Sequence, residues 1–246
     1  METSGISETI ANNMIDKKVR NNVDKALKYM KQNNINIISV FDDDYPQMLR
    51  GIYDPPICLY IKGNLQLLKM QNISLIGCRK CSQYGKKTAY YFSYNLSKAG
   101  FNIVSGLARG IDSYSHIGCL AAKGKTIAVM GSGLDNIYPK ENEQLVNEII
   151  KQNGAIITQY PLGTKPEKNN FPARNRIISG LSKAVLVIEA RAKSGTLITV
   201  DFALEQGKDV FAVPGNINSA NSVGTNELIK QGAIPVCNYK DILDNI

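Results

Sequence analysis

From Ile73 onward, apolar runs of three to six residues recur at regular spacing, separated by longer stretches with mixed polarity. The runs are Ile73–Ile76, Phe101–Ser105, Thr126–Met130, Ala155–Thr158, Ala184–Glu189, Asp209–Val213 and Ile234–Val236. The Ala184–Glu189 run (AVLVIE) is rich in branched residues and of the length expected for a strand buried on both faces. Gly100, Gly124, Gly154, Gly207 and Gly232 each precede a run, where the C-cap of a helix belongs. Asp112 and Thr225 stand at plausible helix N-caps. Strand–helix alternation of this kind predicts an α/β fold: an extended, Rossmann-like, doubly wound and mostly parallel sheet covered by helices on both faces. A closed eight-unit barrel fits seven weak units less well.

The lead-in is different. Asp16–Gln32 predicts an amphipathic helix with Val19, Val23, Ala26, Leu27 and Met30 on one stripe. Ile35–Val40 and Ile57–Ile61 predict short strands, with a helical turn from Asp44-Tyr-Pro to Gly51 and a rigid Asp54-Pro55-Pro56 turn between them. The expected organisation is a small mixed N-terminal extension over residues 1–70 and one Rossmann-like domain over 71–246.

Composition narrows the class. The chain has 246 residues, 43% of them hydrophobic and 20% charged, and no apolar run approaches the roughly 20 residues that span a bilayer. The opening METSGISETIANN lacks the apolar core of a signal peptide, so a cytoplasmic location is expected, with no membrane partner. Twenty-nine Lys and Arg face 21 Asp and Glu, a net charge of +8 that favours polyanions, unless it is solubility charge spread over lysine-rich helices. Five cysteines make an odd, scattered set, as in a reducing compartment. Cys78-Arg-Lys-Cys81 raises a redox site, but a second pair for zinc is missing and the one histidine, His116, is remote in sequence.

In an open parallel sheet, ligands bind beyond the carboxyl ends of the strands. This chain places Gly77-Cys-Arg79-Lys80 after the first run and Ser105-Gly106-Leu-Ala-Arg109-Gly110 after the second. Gly131-Ser132-Gly133-Leu-Asp135 and Tyr138-Pro-Lys140 follow the third, and a long connection with Lys165 and Lys168 follows the fourth. Pro172 predicts a turn that leads through Arg174, Asn175 and Arg176 into Ile177–Leu181. Ser194-Gly195-Thr196 then opens a helix-like stretch that ends near Gly207, and Pro214-Gly215-Asn216 follows the sixth run. Glycines allow backbone to approach phosphate, and helix N-termini with adjacent cations welcome it. Any one loop is ordinary turn chemistry; several on one edge predict a phosphate-type site.

Neither G-x-G-x-x-G with its distal acid nor a Walker A motif occurs. A hydrolytic triad would need His116, whose setting on the helix from Asp112 suggests packing or capping instead. No metal cluster, cofactor motif or pair of catalytic carboxylates emerges. A non-catalytic grip on a nucleic-acid backbone is the expected role. A mononucleotide-sensing module stays open, as does a nucleotide phosphoribohydrolase, whose P-G-G-x-G-T-x-x-E loop Ser194–Thr199 distantly resembles with Thr199 in place of the acid.

Four segments together resemble the DNA-processing protein A family (DprA, also called Smf). They are Gly77-Cys-Arg79 with Ser82 and Tyr84-Gly85, Ser105-Gly-Leu-Ala-Arg-Gly-Ile-Asp112 with His116, Gly131–Pro139, and Phe171-Pro-Ala-Arg-Asn-Arg-Ile-Ile-Ser-Gly180. The resemblance runs from about Ile35 to the C-terminus. It implies single-stranded DNA binding, loading of the RecA recombinase onto incoming strands in natural transformation, and head-to-head homodimers. It places Arg79, Lys140, Arg174 and Lys168 around a basic pocket with Gly106, Gly131 and Gly133 as its floor, and Leu228 and Ile229 at the dimer contact. Cys78 departs from the Ser or Thr usual in the family. The N-terminal region is short for a sterile-alpha-motif domain, and no winged-helix-like domain is expected after Ile246.

Overall fold

The structure, a computed structural model, describes residues 17–246. Its elements in chain order are α1 (Lys17–Gln32), β1 (Ile35–Ser39), α2 (Gln47–Arg50), β2 (Cys58–Gly63), β3 (Asn72–Ile76), α3 (Gln83–Lys98), β4 (Asn102–Ser105), α4 (Ile111–Ala121) and β5 (Thr126–Val129). There follow α5 (Glu143–Lys151), β6 (Ala155–Thr158), α6 (Asn170–Gly180), β7 (Ala184–Val187), α7 (Gly195–Glu205), β8 (Asp209–Ala212), α8 (Val223–Lys230), β9 (Ile234–Pro235) and α9 (Lys240–Leu243). The sheet order is β1-β2-β6-β5-β4-β3-β7-β8-β9. Every pairing from β6 through β9 is parallel, and β2 joins β6 antiparallel with Ile61 opposite Ile157.

The expected doubly wound, mostly parallel sheet is therefore present. Side chains of each strand alternate between faces. Val185 and Val187 join one core cluster with Ile177, Ile178 and Leu181 of α6 and Val200 and Ala203 of α7. Ala184 and Leu186 join the other, with Phe92 and Leu96 of α3 and Cys119 of α4. Burial on both faces is why the strands read as continuous apolar runs rather than alternating ones.

Two compact units emerge, one up to Asn36 and one from Ile37 to Ile246. The sequence pattern instead suggested a division at residue 70. The segment from Ile37 to 70 belongs with the main unit because β2 adds its hydrogen bonds to the β6 edge and because Tyr45, Leu49, Leu59 and Ile61 bury in the same cluster as Val129 and Ile157. In the smaller unit, Met30 of the α1 stripe is buried while Val23 and Leu27 are half exposed. The expected helix start at Asp16 and the METSGISETIANN segment lie outside the described residues, and the Val19 side chain lies outside the described side chains. Among the described residues, no helix is long and apolar enough to cross a membrane.

The chain runs outward from β3 through β4, β5 and β6, then returns to place β7 on the other side of β3. The β3/β7 boundary is thus the topological switch point, where the loops after adjacent strands diverge and open a crevice.

Candidate nucleic-acid interface

A cleft of about 450 Å³ opens at that switch point, lined by Gly77, Arg79, Lys80, Lys168, Phe171, Arg174, Asn175, Arg191, Lys193, Ser194, Gly195 and Thr196 among others. A smaller recess adjoins it, sharing Arg79, Phe171 and Arg174 and adding Gly106, Arg109 and Tyr138. Six cationic side chains line the larger cleft against one lining carboxylate, Asp112.

Local chemistry fixes each wall. Gly77 sits where a Cβ would lie 2.6 Å from the Ile111 side chain and 2.9 Å from the Glu189 carbonyl, so only glycine lets the loop after β3 pack this closely. The Cys78 N–H donates to the Glu189 carbonyl and its own carbonyl accepts from the Ile111 N–H, which leaves the exposed Arg79 projecting into the cleft. Its guanidinium lies 5.2 Å from the Phe171 ring centroid, and Tyr138 rests against the same ring at 5.6 Å. The result is an aromatic shelf with a cation above it. Gly110 holds a positive φ of 77° and lies hard against the Cys78 and Arg79 carbonyls, so it serves the same loop from the far side.

Asp112 accepts hydrogen bonds from the Gly106 and Ala108 N–H groups at 3.1 and 3.3 Å and so braces the loop after β4. Burial pushes its carboxyl up to about 6, against the pull of the Arg174 guanidinium. Arg174 is only 4% exposed. Its Nη1 donates to the Gly106 carbonyl at 2.6 Å and to the Val129 carbonyl. Burial lowers it to about 10, opposed by Asp112, so it stays charged at neutral pH. Arg174 is therefore a cation set into the floor of the cleft, and the exposed grip falls to Arg79, Lys80, Lys168, Arg191 and Lys193.

The Ser194 side chain caps α7 by accepting from the Thr196 N–H at 3.2 Å, with Gly195 exposed at the helix N-terminus and Asn175 donating to the Gly195 carbonyl. An anion there meets the positive end of the helix dipole.

Several expected positions are placed elsewhere. Arg176 turns away from the cleft: its Nε donates to the Asp54 carbonyl at 2.7 Å and its Nη1 to the Ala173 carbonyl. Residues two apart on a helix do not share a face, and α6 extends through both arginines. Pro172 accordingly stands in the first turn of α6, where proline is tolerated, rather than in a turn before it. Gly131, Ser132 and Gly133 do not line the cleft. Gly131 makes room for the Phe171 ring, the Ser132 hydroxyl donates to the Asn136 carbonyl, and Gly133 packs against Pro161 and Asp135. Lys140 is exposed at the start of a 3-10 turn and borders neither cavity. Arg109 reaches the recess but is clasped by Glu141 through two 2.8 Å contacts. Leu228, expected at a dimer contact, is 8% exposed and packs on the sheet core, with partly buried Ile229 against the same cluster, because α8 turns that stripe inward.

His116 is buried with Nδ1 2.7 Å from the Thr126 hydroxyl, and burial drops its pKa to about 3, so it is a neutral core residue. Burial raises the thiols of Cys78 and Cys81, which keeps both protonated and unreactive at neutral pH. Sequence reading passed over Arg191 and Lys193. Both lie between a predicted strand and a predicted helix N-terminus, at the same edge as the other cations.

The model of one family, described as DNA recombination-mediator protein A, matches residues 36–246. The chain belongs to that family. It is 42% identical to Protein Smf of Escherichia coli K12 over 92% of this chain and 61% of that protein. It is also 42% identical to DNA processing protein DprA of Bacillus subtilis over 90% of this chain and 75% of that one. The chain thus spans about three-fifths to three-quarters of the length of these family relatives. The X-ray structure of DprA from Streptococcus pneumoniae superposes with a TM-score of 0.83 at 39% identity, covering 97% of this chain and 86% of that one. A DprA structure from Helicobacter pylori, described in terms of that protein's single-stranded DNA binding mode, gives a TM-score of 0.77 at 32% identity and covers 85% of this chain and 94% of that one.

Proposed function

We propose that this family member binds single-stranded DNA in the cleft at the β3/β7 switch point and presents the strand to a RecA-type recombinase during natural transformation, acting as a homodimer in the cytoplasm. The observation that carries the reading is the convergence of exposed Arg79, Lys80, Lys168, Arg191 and Lys193 on one cleft floored by buried Arg174 and edged by the Phe171–Tyr138 shelf. Cations neutralise phosphates, and aromatic rings offer stacking surface to bases of any identity. A duplex hides its base faces; a single strand does not. The one carboxylate on the lining, Asp112, is occupied by backbone N–H groups, which suits holding a strand rather than cutting it.

If the five exposed cations each meet one phosphate, log K falls with log salt at a slope of about −3.5, roughly a hundredfold between 50 and 200 mM. Titration of a fluorescent oligonucleotide, single- and double-stranded, across that range tests the reading. Absent binding, or affinity indifferent to salt, defeats it. Co-sedimentation with a recombinase filament, and the sedimentation coefficient of the protein alone, test the partner and the dimer.

A further inference from the structure

A second groove, about 470 Å³, lies on the same carboxyl edge of the sheet as the cleft. One wall is the first ten residues of α3, with Tyr84, Lys87, Thr88, Tyr91 and Phe92; the other is the chain leaving β8 and β9, with Val213-Pro214 and Val236-Cys237. We propose that this groove is a second subsite for the same single strand, in which Tyr84 and Tyr91 stack bases and Lys87 meets the phosphate between them. The proposal rests on the DNA-binding reading of the cleft and extends it.

Three observations favour a strand as the occupant. The first is continuity. The Cys78–Ser82 loop that brings Arg79 and Lys80 to the cleft runs directly into α3, so Tyr84 follows Lys80 by four residues. The two sites lie over neighbouring strands, and β7 to β9 is two strand spacings, roughly 10 Å.

The second is charge. α3 carries Lys86, Lys87 and Lys98 and no acidic residue, and Lys87 is exposed. Two acids lie four residues from the groove lining: Asp209 begins β8, at the opposite end of that strand from Val213, and Asp241 is occupied by the Cys237 and Asn238 N–H groups.

The third is the state of the rings. Tyr84 is 53% and Tyr91 41% exposed, so both present ring surface at the groove. Both are nonetheless propped. The Tyr84 hydroxyl reaches the Pro214 carbonyl at 3.4 Å, and Tyr91 stands edge-on to Phe92 and to Tyr239, at 5.3 and 6.3 Å. Rigid, half-exposed rings beside a lysine are what a sequence-tolerant stacking platform requires.

Oligothymidylates of about 4 and about 16 nucleotides separate one subsite from two. The double variant Tyr84→Ala/Tyr91→Ala is expected to bind the longer strand roughly tenfold or more weakly while holding the shorter one as wild type does. Tyr84→Phe/Tyr91→Phe, which keeps both rings, should bind both like wild type. Lys87→Ala, a surface change that leaves the fold alone, should flatten the salt slope by about 0.7 for the longer strand only. An iodouracil-substituted strand irradiated on the protein should crosslink to Tyr84 or Tyr91. The proposal alone is overturned if Arg79→Ala weakens both lengths while the Tyr84/Tyr91 and Lys87 variants bind both as wild type does. It is overturned in favour of a protein partner if those variants bind both lengths normally yet fail to engage a recombinase filament. Wild-type protein that binds neither length overturns the cleft reading and this one together.

Discussion

Arg79 offers the sharpest test of the cleft. It is exposed, it lines both the cleft and its recess, and its guanidinium is stacked over Phe171 at 5.2 Å. A charge-assisted contact to phosphate is worth about 1.5–3 kcal/mol, so Arg79→Ala should weaken oligonucleotide binding by roughly 10- to 150-fold at low salt. The loss should be uniform across base sequences. One fewer neutralised phosphate lowers the salt slope by about 0.7, so the deficit of the variant should shrink by about 2.6-fold between 50 and 200 mM. Arg79→Lys separates charge from shape: it should keep the slope but lose the flat stacking surface, at a cost of roughly 0.5–1 kcal/mol. Because the side chain is exposed, unfolding free energies should stay within about 0.5 kcal/mol of wild type. Fluorescence anisotropy at four or five salt concentrations, with a thermal melt beside it, reads all of this. An Arg79→Ala variant with the wild-type salt slope would refute the reasoning, since the arginine would then not be meeting a phosphate.

Glu141 clasps Arg109 in the open, so Glu141→Gln should release a cation to the recess, tighten DNA binding a few-fold at low salt and steepen the salt slope by about 0.7; anisotropy titration checks it. Arg176→Ala should cost roughly 1–3 kcal/mol in chemical denaturation, since it removes the hydrogen bonds to the Asp54 and Ala173 carbonyls and the ion pair with Asp54, while DNA affinity per folded molecule stays unchanged. The last prediction concerns pH. Asp112, raised to about 6, is protonated in the folded state but ionised in the unfolded chain between pH 4 and 6, and so favours folding as pH falls. His116, lowered to about 3, is neutral when folded and charged when unfolded over the same interval, and so opposes folding as pH falls. The two slopes offset in wild type. Asp112→Asn removes only the first, and should lose stability relative to its own value at pH 6 by up to about 1.4 kcal/mol per pH unit on the way to pH 4. Denaturant titrations at three pH values would expose a flat profile, which contradicts the prediction.

The parallel sheet was legible because its strands are buried on both faces. Ala155–Thr158 has the bounds expected from the pattern, and the other six central runs differ by two residues or fewer at either end. The edge strand β2 was seen but assigned to an appendage, since the antiparallel ladder to Ile157 leaves no mark in the local pattern. Within the site, residues on loops after strands were found by type and place: Arg79, Lys168, Ser194, Gly195 and Thr196 all line the cleft. Arg176 misled because an expected turn at Pro172 hid a helix, and on a helix that spacing sends Arg174 inward to the cleft floor at the β4 and β5 ends but Arg176 away to Asp54. Gly131 and Gly133 illustrate the converse error: glycine written into a turn serves a neighbouring ring or carbonyl as readily as a ligand.

The position of Arg174 has a consequence for how an anion approaches this rim. Parallel strands all point their final peptide oxygens the same way, so the mouth of such a crevice carries a fringe of partial negative charge that a polyanion would meet first. By donating to the oxygens of Gly106 and Val129 from beneath, Arg174 cancels that fringe at two neighbouring strands and reverses its sign. Since the guanidinium is shielded from water, counterions reach it poorly, and its contribution should persist at ionic strengths that mute the lysines around it.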